Sequence, residues 1–277
     1  NYNAGPWLKR GLERLLTGPG ESLQVVIVDN GSTDDSLDGL PTGKVTIDRA
    51  GANLGFGPGM NRAAGATERE LLLLLNPDAG ISTDDLARLV AELDSHPDAV
   101  LVSGRVVDAA GREQRGSRRR APTAGRILAE LLPGGIGRGI DLTGTPAPAS
   151  STEIDALSGA CMLVRAAAFH AVGGFDEGYP LHFEDLDLFA RLRAAGGRLR
   201  WVPAVTVRHV GGVSSRGRSL HVMRSKHRGL MRYVRRHIAT GTSAWQRPFW
   251  WLALTASRLL RTPLAALRDR RRPPEAA

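Results

Sequence analysis

The run Leu71-Leu72-Leu73-Leu74-Leu75-Asn76-Pro77-Asp78 carries the strongest structural signal in the sequence. Five consecutive leucines leave no polar face, which predicts a strand covered on both sides in the middle of a parallel sheet. Proline cannot continue a strand ladder, so the strand should end there and hold Asp78 at its carboxyl end. Ligands of open α/β sheets bind at that edge, and a carboxylate there suits a divalent cation and its diphosphate. The alternative is a simple turn before the next helix.

Two further loops follow predicted strands. Residues 29–34, after the apolar stretch 23–28, are polar and turn-forming, as binding loops often are, although Ser32 or Thr33 could also cap a helix. In the loop at 53–59, alternating glycines let the backbone approach a ligand and present N–H groups at a helix start. This loop is not a dinucleotide-binding fingerprint, because Met60 stands where the fingerprint needs its third glycine. The loop also follows the second predicted strand, whereas the fingerprint follows the first.

Other apolar patterns predict alternating helices and strands. Helices are expected over 6–16, 82–95, 166–172 and 184–195, and strands over 44–48, 100–107, 154–164, 199–202 and 205–207. Residues 109–152 are rich in Gly, Pro, Ser and Arg, which predicts an irregular insertion that could act as a lid. We therefore expect an α/β domain over 1–214 and a basic helical extension over 215–277.

Two polar clusters in the second half could carry chemistry. Glu184, Asp185 and Asp187 stand at the predicted start of a helix, where acids commonly complement the helix dipole. An ionised carboxylate there that faces a cleft could also accept a proton from an incoming hydroxyl group. His209 ends the last predicted strand, and a single histidine in that position is more often structural than a ligand.

Composition restricts the class of protein. The chain has 277 residues, of which 42% are hydrophobic, enough for a large core. Cys161 is the only cysteine, which excludes an internal disulfide or a multi-cysteine zinc site and favours a reducing compartment. Its apolar neighbours predict a core residue rather than a nucleophile. We expect no signal peptide, and the printed sequence has no apolar run of about 18 residues that could span a bilayer.

The net charge of +9 conceals a sharp division. Residues 1–187 contain 17 Lys and Arg against 26 Asp and Glu, whereas residues 188–268 contain 17 Lys and Arg and no acid. Such a basic segment predicts an anionic partner, although an arginine-rich proteome bias could explain part of it. Tryptophans beside arginines over 245–268 suit the headgroup region of an anionic membrane. The alternative is a helix that packs its tryptophans on the domain or on a partner subunit.

Seven segments resemble, in order, the family 2 glycosyltransferases of the GT-A fold, especially their bacterial rhamnosyltransferase-like branch. They are 25–34 (VVIVDNGSTD), 53–57 (NLGFG), 75–78 (LNPD), 159–165 (GACMLVR), 174–177 (GFDE), 183–188 (FEDLDL) and 208–212 (RHVGG). Each segment is weak alone, and their common order makes the resemblance specific over residues 1 to about 215. It implies a single Rossmann-like mixed sheet flanked by helices.

The resemblance also implies roles on the donor side. Asp29 would recognise the nucleobase of the donor and Tyr2 would stack on that base, while Asn53 and Gly55 would belong to the donor-binding loops. Asn76-Pro77-Asp78 replaces the family's Asp-x-Asp motif. Asp78 would therefore hold Mg²⁺ or Mn²⁺, whereas Asn76 would hydrogen-bond the ribose or diphosphate.

On the acceptor side, the resemblance implies that Asp185 is the general base and that Glu184, Gly159 and Ala160 bind the acceptor. His209 would be the second metal ligand. This role replaces the structural one that a single histidine at a strand end would suggest without the resemblance. One base and one cation suffice for a single displacement with inversion, whereas a glycoside hydrolase would need two flanking carboxyl groups.

The resemblance implies a dTDP-, UDP- or GDP-sugar as the donor, with rhamnose as the expected sugar. The expected acceptor is a glycan or polyprenyl-linked sugar in cell-envelope polysaccharide synthesis. The protein should lie in the cytoplasm, in peripheral contact with the inner face of the plasma membrane. Two departures from the family stand out. The strand that usually leads into a sequence like Asn1-Tyr2-Asn3 is missing, so the sheet should lack a central member. Asn76 replaces an acid, which should weaken the affinity for metal.

Two other classes fit parts of the sequence. A membrane- or nucleic-acid-binding adaptor with a degenerate catalytic domain would explain the basic segment, but Asp78, Asp185 and His209 argue against it, and nucleic acid is the less expected partner. A nicotinamide-dependent oxidoreductase is disfavoured because the first strand has no glycine fingerprint.

Overall fold

The computed structural model describes residues 1–17, 23–41, 43–131, 139–211 and 219–241, together with residues 250, 252, 255 and 256. Its helices are α1 (Pro6–Leu16), α2 (Phe56–Gly65), α3 (Thr83–Ser95), α4 (Ala124–Leu131), α5 (Ala166–Ala171), α6 (Glu184–Ala194) and α7 (Ser219–Tyr233). Its strands are β1 (Val25–Asp29), β2 (Val45–Arg49), β3 (Leu71–Leu75), β4 (Ala79–Gly80), β5 (Ala99–Val107), β6 (Arg118–Arg119), β7 (Thr152–Glu153), β8 (Ala156–Leu157), β9 (Cys161–Arg165) and β10 (Arg198–His209). The alternation of helices and strands is that of an α/β protein, as predicted.

The chain divides into two compact units. The first consists of residues 1–121, 141–176 and 185–214, and the second of residues 122–140, 177–184 and 215–277. All ten strands named above belong to the first unit, whereas α4 and α7 belong to the second.

A mixed six-stranded sheet forms the centre of the first unit. Its strand order is β3-β9-β5-β10-β4, and β7 pairs with β10 outside this path. Only β5 and β10 run parallel, because β9 is antiparallel to both β3 and β5, and β4 is antiparallel to β10. The prediction that the leucine strand lies in the middle of a parallel sheet is therefore wrong. A run of leucines indicates that a strand is buried. It does not indicate the direction of the neighbouring strands, because parallel and antiparallel neighbours cover the same side chains.

The helices of the first unit follow from local sequence. Pro6 stands at the first position of α1, where its missing N–H costs nothing, and Leu8, Leu12 and Leu15 are buried on one face of that helix. In α3, the Oγ of Ser82 accepts a hydrogen bond of 3.1 Å from the N–H of Asp85, and this cap lies where the sequence predicts the helix to begin. The buried α3 residues Leu86, Leu89 and Leu93 belong to the same core cluster as Val102, Cys161 and Val207.

A cavity of about 790 Å³ separates β3 from the parallel pair β1–β2. The apolar residues of β1 and β3 line it on two sides, and no ladder joins these two strands in the described part of the chain. The backbone N of Asn1 donates to the carbonyl oxygen of Val28 at 2.6 Å, and the N–H of Asn30 donates to that of Asn1 at 2.8 Å. This is the pattern of a parallel ladder, so Asn1 already pairs with the edge of β1 that borders the cavity.

Two predicted strand boundaries are wrong. The strand expected over 154–164 is broken at Ser158-Gly159-Ala160 into β8 and β9, because these residues form a turn. The two strands expected over 199–207 are instead one strand, β10, with a register shift between Val202 and Thr206. Pro203 stands in this bulge, and the Val205 carbonyl approaches Gly104 so closely that a Cβ there would lie 2.7 Å away.

The segment 109–152, expected to be irregular, contains β6 and α4 among its described residues. In the second unit, α7 continues into a π-helical turn (Val234–Ile238) and a 3-10 turn (Ala239–Gly241). Trp245, Phe249 and Trp251 of the predicted membrane-binding cluster lie outside the described residues, while Trp250 is buried. No helix in the described part of the chain is long and apolar enough to cross a membrane.

Candidate functional site

Asp78 and His209 meet at the carboxyl edge of the main sheet. Pro77 ends the leucine strand, and the short β4 that follows pairs antiparallel with β10, with Ala79 opposite His209. This register places Oδ1 of Asp78 3.3 Å from Nε2 of His209. Both side chains are largely shielded from solvent. The two predicted metal ligands, which are remote in sequence, are therefore brought together.

The Asp78 carboxylate is stabilised in its ionised form. Its burial by itself would raise the pKa, but the hydrogen bond and charge of His209 and backbone N–H groups outweigh this and hold the pKa below its usual value. One of these groups, the N–H of Gly211, donates to Oδ2 of Asp78 at 3.0 Å. The Asp78 carboxylate is consequently ionised at neutral pH.

Gln114 orients the His209 ring, and nothing in the sequence analysis pointed to this residue. Its Nε2 donates to the carbonyl oxygen of His209 at 2.6 Å, so its Oε1 faces Nδ1 of the same residue at 2.8 Å. Because that amide oxygen can only accept, Nδ1 carries a proton. Nε2, which lies beside Asp78, is therefore the ring nitrogen that could bind a cation when it holds no proton. A backbone bridge, Gln114 N–H to Val106 O, holds the segment beside β5. Only the tertiary pairing of 106 with 114 could have revealed this role.

The residues around Asp78 fit a divalent cation. Oδ1 of Asn76 is buried and has no hydrogen-bond partner among the described residues, while Nδ2 of Asn76 lies 3.4 Å from Nε2 of His209. Two neighbouring ligands of an octahedral Mg²⁺, each about 2.1 Å from the metal, lie about 3.0 Å apart, close to the separation of Asp78 and His209. The described residues contain no group of three or more His, Cys, Asp or Glu that could hold a metal. A cation here would need further oxygens, such as those of a diphosphate and water.

Asp185 lies near the start of α6 with both carboxylate oxygens hydrogen-bonded. Oδ1 accepts from the N–H of Leu186 at 2.8 Å, and Oδ2 accepts from Nη2 of Arg119 at 2.5 Å. Glu184, its neighbour, is buried, and Asp187 is fully buried in an ion pair with Arg191. Of the three acids at this helix start, Asp187 therefore has a structural role, whereas Asp185 remains partly accessible.

The turn at 158–160 connects Asp185 with the segment 76–78. The carbonyl oxygen of Ala160 accepts a hydrogen bond of 2.9 Å from the N–H of Asn76. Gly159 packs so closely on Asp185 that a Cβ at position 159 would lie 3.1 Å from the Asp185 Cβ. The predicted acceptor residues Gly159 and Ala160 thus stand between the predicted base and the predicted metal ligands.

The loop after β1 is organised by the Asp29 carboxylate. Oδ1 accepts from the Ser32 hydroxyl at 2.6 Å and from Nδ2 of Asn1 at 3.0 Å, and Oδ2 accepts from the Ser32 N–H at 3.1 Å. Burial would raise the pKa of Asp29, but these hydrogen bonds outweigh it and lower the pKa. Asp29 therefore shapes the loop, and contact with a base would use its remaining lone pairs. Tyr2 is half-buried and stands between Asn1 and Asn3, which both donate hydrogen bonds to the Ser32 hydroxyl of this loop.

Asn30 ties the glycine-rich loop to the loop after β1. Its Nδ2 donates to the carbonyl oxygen of Gly55 at 3.1 Å, and Oδ1 of Asn53 accepts the Gly55 N–H at 3.0 Å. Gly55 adopts a φ of +97°, which strongly favours glycine, at the start of α2. Asp29, Asn53 and Gly55 thus belong to one cluster, and no hydrogen bond between described residues joins them directly to Asp78 or His209.

Comparisons with known proteins agree with this arrangement. Residues 1–173 match the family model described as glycosyl transferase family 2. An N-acetylglucosaminyl-diphospho-decaprenol L-rhamnosyltransferase of Mycobacterium tuberculosis is 28% identical over 98% of this chain and 94% of the relative. The rhamnosyltransferase WbbL of Escherichia coli is 30% identical over 68% of this chain and 72% of the relative.

A solved structure shows the same fold. The mannosyltransferase PcManGT of Pyrobaculum calidifontis, in complex with GDP-Man and Mn²⁺, superposes with a TM-score of 0.57 at 17% identity. The match covers 96% of this chain and 71% of that one. At this level of identity the likeness concerns the fold alone, which is the GT-A arrangement of a mixed sheet flanked by helices.

Proposed function

Since the chain belongs to glycosyl transferase family 2, we propose that it transfers L-rhamnose from a nucleoside diphosphate donor to a hydroxyl group of a lipid-linked glycan acceptor, with inversion at the anomeric carbon. The observation that carries the proposal is the pairing of Asp78 with His209 on one side of the 158–160 turn and of Asp185 on the other. The names of the two rhamnosyltransferase relatives support the choice of sugar, and that of the mycobacterial one supports a polyprenyl diphosphate acceptor.

Asp78 and His209 are the residues that would hold Mg²⁺ or Mn²⁺. When bound, such a cation neutralises the charge that develops on a departing diphosphate. Asp78 contributes a carboxylate that is ionised at neutral pH, and Gln114 keeps the His209 ring in the orientation that offers Nε2. Asn76 adds a buried amide oxygen that has no partner among the described residues and can accept from a ribose hydroxyl or a water molecule.

Asp185 is the proposed general base. Each of its oxygens accepts one hydrogen bond within the protein and keeps a lone pair for the proton of the acceptor hydroxyl. The deprotonated oxygen would attack the anomeric carbon from the face opposite the nucleotide. A general base that acts directly on the acceptor hydroxyl is what a single displacement requires.

The donor-side loops around Asp29 and Gly55 are proposed to bind the nucleoside, with Tyr2 against the base. Loops tied together by Asn30 and entering α2 at a glycine can present backbone N–H groups to a ligand. The basic second unit is proposed to contact an anionic membrane at the inner face of the plasma membrane, where a polyprenyl acceptor resides.

The function is tested with dTDP-rhamnose and N-acetylglucosaminyl-diphospho-polyprenol, assayed with Mn²⁺ and with a chelator. We expect metal-dependent formation of a disaccharide lipid, with a stereochemistry inverted from the donor. Asp185→Asn should lose about 10²–10⁴-fold in turnover while still binding dTDP with Mn²⁺.

Asp84→Asn, which changes an exposed acid in the first turn of α3, is the matched control and should keep its turnover. Wild-type turnover by Asp185→Asn would refute the role of this residue. Failure of the wild-type protein to turn over dTDP-, UDP- and GDP-sugars with either metal would refute the proposed function and favour an adaptor.

A further inference from the structure

Arg119 forms an ion pair with Asp185, which is the general base in the proposed function. Arg119 is the second residue of β6, which pairs antiparallel with β8 so that Arg119 stands opposite Ala156. Its Nη2 donates to Oδ2 of Asp185 at 2.5 Å and also to the carbonyl oxygen of Leu157. The two side chains are only 15% and 17% exposed, so solvent screens this ion pair less than a surface pair.

The Asp185 carboxylate is restrained from three directions. Arg119 holds Oδ2, the N–H of Leu186 holds Oδ1, and Gly159 leaves just enough room beside Cβ. A carboxylate with only one of these contacts could rotate about its side-chain bonds, and misplacement of a reacting group by about 1 Å can cost about 100-fold in rate. Arg119 is the one of the three that is a side chain, and it is therefore the one that mutation can remove cleanly.

Arg119 also connects the base to the cation-binding residues. Leu157, whose carbonyl it contacts, directly precedes the turn 158–160, and Ala160 in that turn accepts the N–H of Asn76. A single guanidinium thus fixes the position of Asp185 relative to the turn that leads to Asn76 and Asp78. Its planar group is suited to bridging a carboxylate and a carbonyl oxygen, whereas a lysine ammonium would supply the charge without the fixed geometry.

We propose that Arg119 is a positioning residue of this enzyme, which orients the Asp185 carboxylate for proton transfer from the acceptor hydroxyl. This inference rests on the proposed function, and it concerns the rate of the transfer step rather than donor binding. It predicts that loss of Arg119 acts through Asp185 and leaves the nucleotide and metal sites unchanged.

The test uses Arg119→Met and Arg119→Lys of the full chain, with dTDP-rhamnose and the lipid acceptor at saturating Mn²⁺. Arg119→Met should lower kcat about 10- to 100-fold, with the KM for dTDP-rhamnose and the binding of dTDP with Mn²⁺ within about twofold of wild type. Arg119→Lys should recover part of kcat. Arg88→Met, which removes an exposed arginine paired with Asp85, is the matched control and should keep kcat.

A double mutant distinguishes positioning from a separate role. In the Asp185→Asn background, adding Arg119→Met should lower kcat by less than about threefold, because the base it orients is already gone. Full kcat in Arg119→Met, a multiplicative loss in the double mutant, or a loss that parallels weaker dTDP binding would overturn the inference. Because the wild-type protein is assayed alongside, its inactivity would instead point to failure of the proposed function.

Discussion

Nε2 of His209 lies 3.3 Å from Oδ1 of Asp78 because two residues of β4 pair antiparallel with the end of β10. The pairing sets Ala79 opposite His209, and Asp78, the residue before Ala79, therefore lies in contact with the imidazole ring. Gln114 then fixes the ring through two hydrogen bonds. The candidate cation site therefore depends on three segments that are far apart in sequence.

Replacement of Gln114 should weaken cation binding without removing a ligand. In Gln114→Leu the Nδ1 proton of His209 loses its acceptor and the ring loses its orientation, and loss of such an outer partner typically costs 10- to 100-fold in metal affinity. We expect the Mn²⁺ concentration for half-maximal activity to rise by about that factor, with kcat nearly restored at saturating Mn²⁺.

Gln24→Leu is the control, because Gln24 contacts Thr67 near the surface and should leave the Mn²⁺ titration unchanged. An unaltered titration in Gln114→Leu would show that its contacts with His209 do not support metal binding.

Ionisation of Asp29 should make the free energy of unfolding depend on pH under acidic conditions. The lowered pKa of Asp29 means that its carboxylate stabilises the folded state above the pKa of the unfolded chain, near 4, and that this stabilisation disappears as the pH falls through the folded pKa. Asp29→Asn should lower the free energy of unfolding by about 1–3 kcal/mol at pH 6.

Thermal melts of both proteins at pH 6 and at successively lower pH measure this difference. The gap in Tm should be largest at pH 6 and shrink below about pH 4. Asp38→Asn, at an exposed position, should show no such gap. A gap between Asp29→Asn and wild type that stays constant down to pH 2 would contradict the assignment of the stabilisation to the ionised carboxylate.

Cys161 should be inert to thiol reagents in the folded protein. The side chain is fully buried in β9, and burial raises the pKa of its thiol to about 12, so the reactive thiolate is scarce at pH 8. Iodoacetamide at pH 8 should label the native chain only as fast as it unfolds, whereas the chain in urea should be labelled completely. Rapid labelling without loss of structure would place this residue at an accessible position instead.

Local sequence determined where several elements of this chain begin or end and which polar residues follow three of its strands. The end of the leucine strand at Asn76-Pro77, the start of α3 and the span of α1 depend on neighbours within a few residues, so the sequence pattern predicted them. The strand ends that present Asp29, Asp78 and His209 followed from the same rules. The family resemblance then indicated which of these polar residues to consider together.

Only the tertiary structure decided which of these residues touch. Strand direction, the bulge opposite Gly104 and the register of β4 on β10 depend on packing between distant segments, and a leucine run buries equally well beside parallel or antiparallel neighbours. Gln114 and Arg119 have no local signal, because their roles come from the single ring and the single carboxylate that the fold brings to them. The contacts of Asp78, His209 and Asp185 thus depend on the tertiary structure, because the pairing of distant strands is decided by the packing of the whole sheet and not by any one segment.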